Sequence, residues 1–237
     1  MSIKAVLFDL DGTLLPMDQD IFVKAYFGAL CKKLAPLGFE PKKLVDTIWR
    51  GTEAMVKNDG SCLNKDVFWK VFIQTYGEDA MKHTSVFDEF YELDFDREVS
   101  HSCGYTPNAA LTVEKIKSKG YRVVLATNPI FPTGATYKRI KWAGLDRDSF
   151  ELITTYDNSR HCKPNLDYYR DILNTIGLCG EECLMVGNDV DEDMVAQKLG
   201  MKVFLLPECL INKQGRDISE FNHGNMTDLL NYIETLN

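Results

Sequence analysis

The opening of the chain constrains the fold more than any other stretch. Residues 3–8 (Ile-Lys-Ala-Val-Leu-Phe) are apolar apart from Lys4 and run straight into Asp9, Leu10, Asp11 and Gly12. A run this short is strand length and reads as a strand buried on both faces, ending in acids. Gly12 lets the chain turn at once. Two carboxylates two positions apart in extended backbone face the same side. There they repel unless a cation lies between them or one holds a proton. A solvated turn is the plain reading of an isolated pair of this kind. The apolar strand before it and Gly12-Thr13 after it favour a catalytic pair.

Beyond this strand the pattern changes twice. From residue 19 to about 97 apolar residues recur at helical spacing, as at Ile21, Ala25, Leu30 and Leu34, then Leu44, Ile48 and Met55, then Val67, Val71 and Phe72. Breaks at Pro36-Leu37-Gly38, Asn58-Asp59-Gly60 and Gly77 divide the stretch into about four helices. Its aromatics, among them Trp49, Phe68, Trp69, Phe72 and Tyr76, read as helix-bundle core. After Gly104, strands at 122–126, 151–155, 183–186 and 203–206 alternate with helices at 108–119, 136–143, 165–176 and 191–199. Such alternation implies a Rossmann-like parallel sheet with crossover helices. The expected fold is therefore α/β, with residues 1–16 and 98–237 forming the sheet domain and residues 17–97 an inserted all-helical domain.

Bulk properties exclude several classes. The chain has 237 residues and a net charge of −8, which argues against a nucleic-acid surface. No run approaches the roughly 20 apolar residues of a membrane helix, and acids at 9 and 11 come too early for a signal peptide. Seven scattered cysteines read as free thiols in a reducing compartment, so a cytoplasmic protein is expected. A monomer is expected.

In open α/β sheets ligands bind outside the carboxyl ends of the strands. Three further ends carry polar residues. Thr127-Asn128 follows the strand at 122–126, and its side-chain and backbone donors suit phosphoryl oxygens, although an ordinary turn has the same composition. Lys163 precedes Pro164 at a helix start, placed to neutralise an anion, although a surface lysine would look the same. The strand at 183–186 leads into Gly187-Asn188-Asp189-Val190-Asp191-Glu192-Asp193, a set of oxygen groups suited to a hard cation but without EF-hand spacing.

In this order the four pieces resemble the haloacid dehalogenase superfamily. Asp9-Leu10-Asp11-Gly12-Thr13 is similar to its DxDGT motif, Thr127 to its second motif, Lys163 to its third and the cluster around Asp189 to its fourth. The resemblance covers the whole sheet domain, and the helical insertion occupies the position of the family's cap. It implies a Mg²⁺-dependent phosphatase acting on a small phosphate ester. Asp9 would be the nucleophile and Asp11 the general acid and base. Thr127, Asn128 and Lys163 would hold the phosphoryl oxygens, and Asp9, Asp11, Asp189 and Asp193 would serve the metal. The fourth motif departs from the family's Gly-Asp, since Asn188 intervenes. Asp189 is preferred over Asn188 as ligand because a carboxylate binds Mg²⁺ better, and Asp193 either ligates or orients Lys163.

Asp11 argues against halide displacement, which needs no acid for its leaving group. The DKTGT motif of transport ATPases is absent. A phosphomutase, or a phosphate-binding module without catalysis, stays open. Phosphonate cleavage would need a lysine of the insertion, and nothing selects among Lys24, Lys32 and Lys57.

Overall fold

The computed structural model describes residues 2–236. Six parallel strands form one sheet in the order β3-β2-β1-β4-β5-β6. They are β1 (Ala5–Phe8), β2 (Arg122–Leu125), β3 (Leu152–Ile153), β4 (Cys183–Gly187), β5 (Lys202–Leu205) and β6 (Asn222–His223). Every residue of β1 is fully buried. Val6 and Phe8 enter one apolar cluster and Ala5 and Leu7 another, so alternate side chains serve opposite faces of the sheet.

The first face is covered by α6 (Pro107–Ser118), through Val113 and Ile116, and by α9 (Met226–Glu234), through Leu229 and Ile233. The second is covered by α8 (Leu166–Ile176), through Tyr168, Tyr169 and Ile172. The remaining crossover helix, α7 (Thr133–Trp142), follows β2. Strands β1, β2 and β3 spread one way from β1 while β4 lies on its other side, so the topological switch falls between β1 and β4. Phe8 pairs with both Leu125 and Val186, so three chains leave the sheet at one level beside Asp9.

Between β1 and α6 the chain is helical. It forms α1 (Gln19–Leu34), α2 (Pro41–Val56), α3 (Asn64–Tyr76), α4 (Thr84–Glu89) and α5 (Phe95–Val99), the last two joined through a wider turn over Phe90–Asp94. Gly38 and Gly60, at two of the expected breaks, sit at φ +87° and +85°, where other residues are strained. The helical run extends past the expected residue 97 to Ser102. The outgoing and returning chains then pair, Met17 with Cys103, and the Gly104 N–H bonds to the Pro16 carbonyl at 2.7 Å.

Several expectations are corrected. Residues 191–199 are not an α-helix: after turns over 191–193, Met194–Leu199 winds as a tight 3₁₀ segment. The Asp189 carboxylate takes the N–H groups of Asp191 and Glu192 there, while Asp193 is held by Lys163 and by the Asp189 N–H. The strand expected at 151–155 is only two residues long, because Asn158 takes the Ile153 carbonyl and the Thr155 N–H into a side-chain turn. Strand β6 and helix α9 were not expected at all. Of the aromatics read as bundle core, Phe72 is fully buried and Phe68, Trp69 and Tyr76 pack against the core, whereas Trp49 is half exposed; Trp49, Phe68 and Trp69 also line a cavity beside Asp9. All seven cysteines are unpaired, and no described helix is long and apolar enough to cross a membrane.

One buried side chain ties the insertion to the sheet. Asn64, the first residue of α3, is fully buried. Its amide donates to the carbonyls of Pro129 at 3.2 Å and His161 at 3.4 Å, and it accepts from Asn58 at 2.9 Å. Asn64→Ala strands those groups without partners. It is expected to cost about 1–3 kcal/mol in denaturant unfolding, and a loss below roughly 0.5 kcal/mol, the surface-mutation range, would contradict the tie.

Candidate active site

The backbone brings Asp9 to the end of β1, where its N–H bonds to the Val186 carbonyl at 2.9 Å. Its side chain is buried, and Lys163 engages one of its oxygens. Lys163 Nζ donates to Oδ1 at 2.8 Å, and the Thr13 hydroxyl lies 3.2 Å from Oδ2. Lys163 has no side-chain exposure and also donates to Asp193 Oδ1 at 2.6 Å. Burial alone would push the lysine's pKa down, but Asp193 and Asp9 more than offset that and hold it well above its ordinary value. An ammonium has three donors and two are engaged here.

Asp193 closes this arrangement from below. Its second oxygen accepts the Asp189 N–H at 3.0 Å, and it lies so close to Gly187 that a Cβ there would meet it at 2.0 Å. Asn188 is also engaged at both ends: Nδ2 donates to the Cys209 carbonyl at 2.6 Å and Oδ1 accepts from Thr13 at 3.0 Å. Gly12, at φ +86°, passes so near Asn188 that only glycine fits.

Asp9, Asp11, Thr127, Asn128, Asp189 and Asp193 all line one cavity of about 240 Å³. Lys163 is not among the lining residues; it stands behind Asp9. Thr127 is positioned through its carbonyl, which accepts from Thr154 at 2.7 Å and Tyr168 at 2.9 Å. The Asn128 amide donates to Glu192 at 2.9 Å, leaving its own oxygen buried without a partner.

Asp11 meets a residue that sequence reasoning missed. Arg139 of α7 is 1% exposed and forms an ion pair with Asp11 Oδ2. It also bonds the Ala135 carbonyl and the Thr136 hydroxyl, and its guanidinium lies 4.5 Å from the centre of the Phe131 ring. The available signal was its place on the buried stripe Ala135, Thr136, Arg139, Ile140, where a charge must be paired. Burial raises the Asp11 pKa and Arg139 opposes it. Asp11 Oδ1 is buried with no partner. Thr13 and Glu192, both within the sequence motifs, bridge neighbouring site groups.

The oxygen chemistry fits a hard cation. Asn128 Oδ1 is an orphaned acceptor. Asp189 uses Oδ1 for two backbone N–H groups, and its other oxygen has no protein partner among the described residues. Both oxygens of Asp193, by contrast, already bond protein. No three His, Cys, Asp or Glu side chains among the described residues gather into a cage of their own. Mg²⁺ characteristically takes only one or two carboxylates and completes its shell with water and substrate.

The family model of the haloacid dehalogenase-like hydrolases matches residues 3–199. The chain belongs to this family. It is 26% identical to the pyrophosphatase PpaX of Bacillus cereus strain AH820, across 100% of this chain and 99% of that one. Among solved structures, a 2-haloacid dehalogenase from Pseudomonas syringae pv. Tomato superposes with a TM-score of 0.66 at 22% identity, over 98% of both chains. The HAD-hydrolase YfnB of Bacillus subtilis, bound to magnesium, superposes with a TM-score of 0.57 at 16% identity, over 99% of this chain and 100% of that one. As a haloacid dehalogenase-like hydrolase the protein is an enzyme.

Glu192 gives a pH test of this site. Burial, opposed by Lys163 and helped by Asp189 and Asp193, pushes its pKa from 4.5 up to about 7. The folded state thus favours the neutral acid, and ionisation above the unfolded value disfavours folding. Stability contributed by the protonated form is lost as pH rises between those two values. In chelator, Glu192→Gln is expected to raise Tm relative to the natural protein at about pH 8 and to change it less at about pH 5. A difference independent of pH would contradict the shift.

Proposed function

We propose that this protein is a Mg²⁺-dependent phosphomonoester hydrolase working through a phosphoryl group carried on Asp9. The observation that carries the reading is the placement of Asp9. Its carboxylate faces the cavity it shares with Asp11 while a buried ammonium holds one of its oxygens. An anionic nucleophile can approach an anionic ester only where positive charge reduces the repulsion.

In the first half-reaction an Asp9 oxygen attacks phosphorus and the ester P–O bond breaks. Asp11 gives its proton to the departing oxygen, completing the alcohol. In the second, water attacks the same phosphorus, Asp11 takes the water's proton, and the Asp9 carboxylate is released with inorganic phosphate. The opposed influences on Asp11 suit both halves: burial favours the acid form and Arg139 the base form. Its unpartnered Oδ1 is the atom suited to carry the proton. Thr127 and Asn128 would hold the non-bridging oxygens, while Lys163, buried behind Asp9, would offset negative charge through Asp9.

Asp9 and Asp189, with the backbone carbonyl of Asp11, would hold the metal. Bound Mg²⁺ would supply charge neutralisation between Asp9 and the phosphate. Asn188 is less suited, since both its polar atoms are engaged, and Asp193 is better suited to orienting Lys163. The magnesium of YfnB and the pyrophosphatase name of the PpaX relatives agree with this chemistry in those proteins. The helical insertion would act as a cap over the site and select the leaving group.

Hydrolysis of p-nitrophenyl phosphate is expected in Mg²⁺ and not in chelator. Asp9→Asn is expected to fall by on the order of 10³-fold or more in kcat while unfolding like the natural protein. Near-natural turnover by that variant would contradict the covalent route. No turnover by the natural protein across a panel of esters would favour a phosphate-binding module. Transfer of phosphate between positions of a bisphosphate, without release, would favour a mutase.

A further inference from the structure

We propose that the cavity above Asp9 selects phosphomonoesters whose leaving group is an uncharged aromatic alcohol and disfavours leaving groups that are themselves anionic. The inference rests on the phosphatase reading and names the substrate class of that same site.

The floor of the cavity is polar, but its walls are aromatic. Phe22, Tyr26, Trp49, Trp69 and Tyr91 come from the helical insertion and Phe131 from the sheet side. No described residue lining it is Lys, Arg or His. The charged side chains that do line it are all carboxylates, including Asp88 on the insertion side. The two buried cations nearby are both engaged. Lys163 lies against Asp9 and Asp193, and Arg139 is paired with Asp11 behind the Phe131 ring.

A leaving group bearing a carboxylate or a second phosphate would lose water against ring faces and meet carboxylates without a cation. Pyrophosphate brings such a second phosphate, so the 26% identity to PpaX does not carry that substrate across. An aromatic leaving group gains instead, at about 25 cal/mol per Å² of apolar surface buried, and by edge or offset contact with the rings. The Tyr26 and Tyr91 hydroxyls bond each other at 2.7 Å, which occupies one of their two O–H donors. The reaction balances as ordinary hydrolysis: the ester P–O bond breaks, the alcohol departs with the Asp11 proton, and water supplies the fourth oxygen of phosphate.

Benzyl phosphate and phosphoglycolate both release a primary alcohol, so comparing them isolates the pocket from the chemistry. With Mg²⁺ present, kcat/KM for benzyl phosphate is expected to exceed that for phosphoglycolate and for pyrophosphate by at least about tenfold. Trp69→Ala is expected to lower kcat/KM for benzyl phosphate about tenfold, mainly through KM. Asp88→Lys is expected to raise kcat/KM for phosphoglycolate about fivefold or more. Phosphoglycolate or pyrophosphate matching benzyl phosphate in the natural protein would overturn this inference alone. Absence of turnover of every ester, p-nitrophenyl phosphate included, would overturn the phosphatase reading and the inference with it.

Discussion

A buried ammonium between two carboxylates is the interaction on which the site depends. Lys163 has no exposed side-chain surface, so it must be paired, and it is paired with Asp9 and Asp193. The three residues come from the end of β1, the loop before α8 and the turn after β4. Meeting at one point, they fix how those segments leave the sheet. Asp193 then holds the Asp189 N–H, and Asp189 organises the two N–H groups that follow. Gly12 and Gly187 are required because Asn188 and Asp193 occupy the space where their side chains would be.

Around this floor the same elements divide the work. The sheet side supplies the carboxylates and polar groups around Asp9, and the insertion supplies most of the aromatic walls. Asn64 binds the two together, with bonds to the Pro129 and His161 carbonyls that flank Asn128 and Lys163 in the chain. The site and its roof are therefore coupled through backbone as well as through the shared cavity. The PpaX relatives match this chain end to end, so a difference in substrate would lie in the walls rather than in the architecture.

Much of the arrangement was legible because it obeys local rules. A fully buried strand reads as an unbroken apolar run, and β1 is one. Gly38 and Gly60 mark helix breaks because they take backbone angles other residues avoid. Site groups at strand ends were legible because topology brings those ends together. What was not legible depended on distant partners. Arg139 looks like any helical charge until its stripe is seen to face Asp11. The 3₁₀ winding of Met194–Leu199 follows side-chain bonds of Asp189 and Asp193 that no periodicity reveals. Strand β6 is two exposed polar residues and carries no strand pattern. Helix α9, though, had a readable start: Asn225 and Asp228 form a capping box ahead of Leu229 and Ile233.

The covalent route requires Asp9 itself to carry the phosphoryl group. Enzyme quenched during turnover of p-nitrophenyl phosphate can be treated with borohydride, which reduces an acyl phosphate to an alcohol. Peptide mass spectrometry should then find homoserine at position 9, and only in samples given both ester and Mg²⁺. Unmodified aspartate at position 9 in every sample, with turnover under way at the quench, would contradict it.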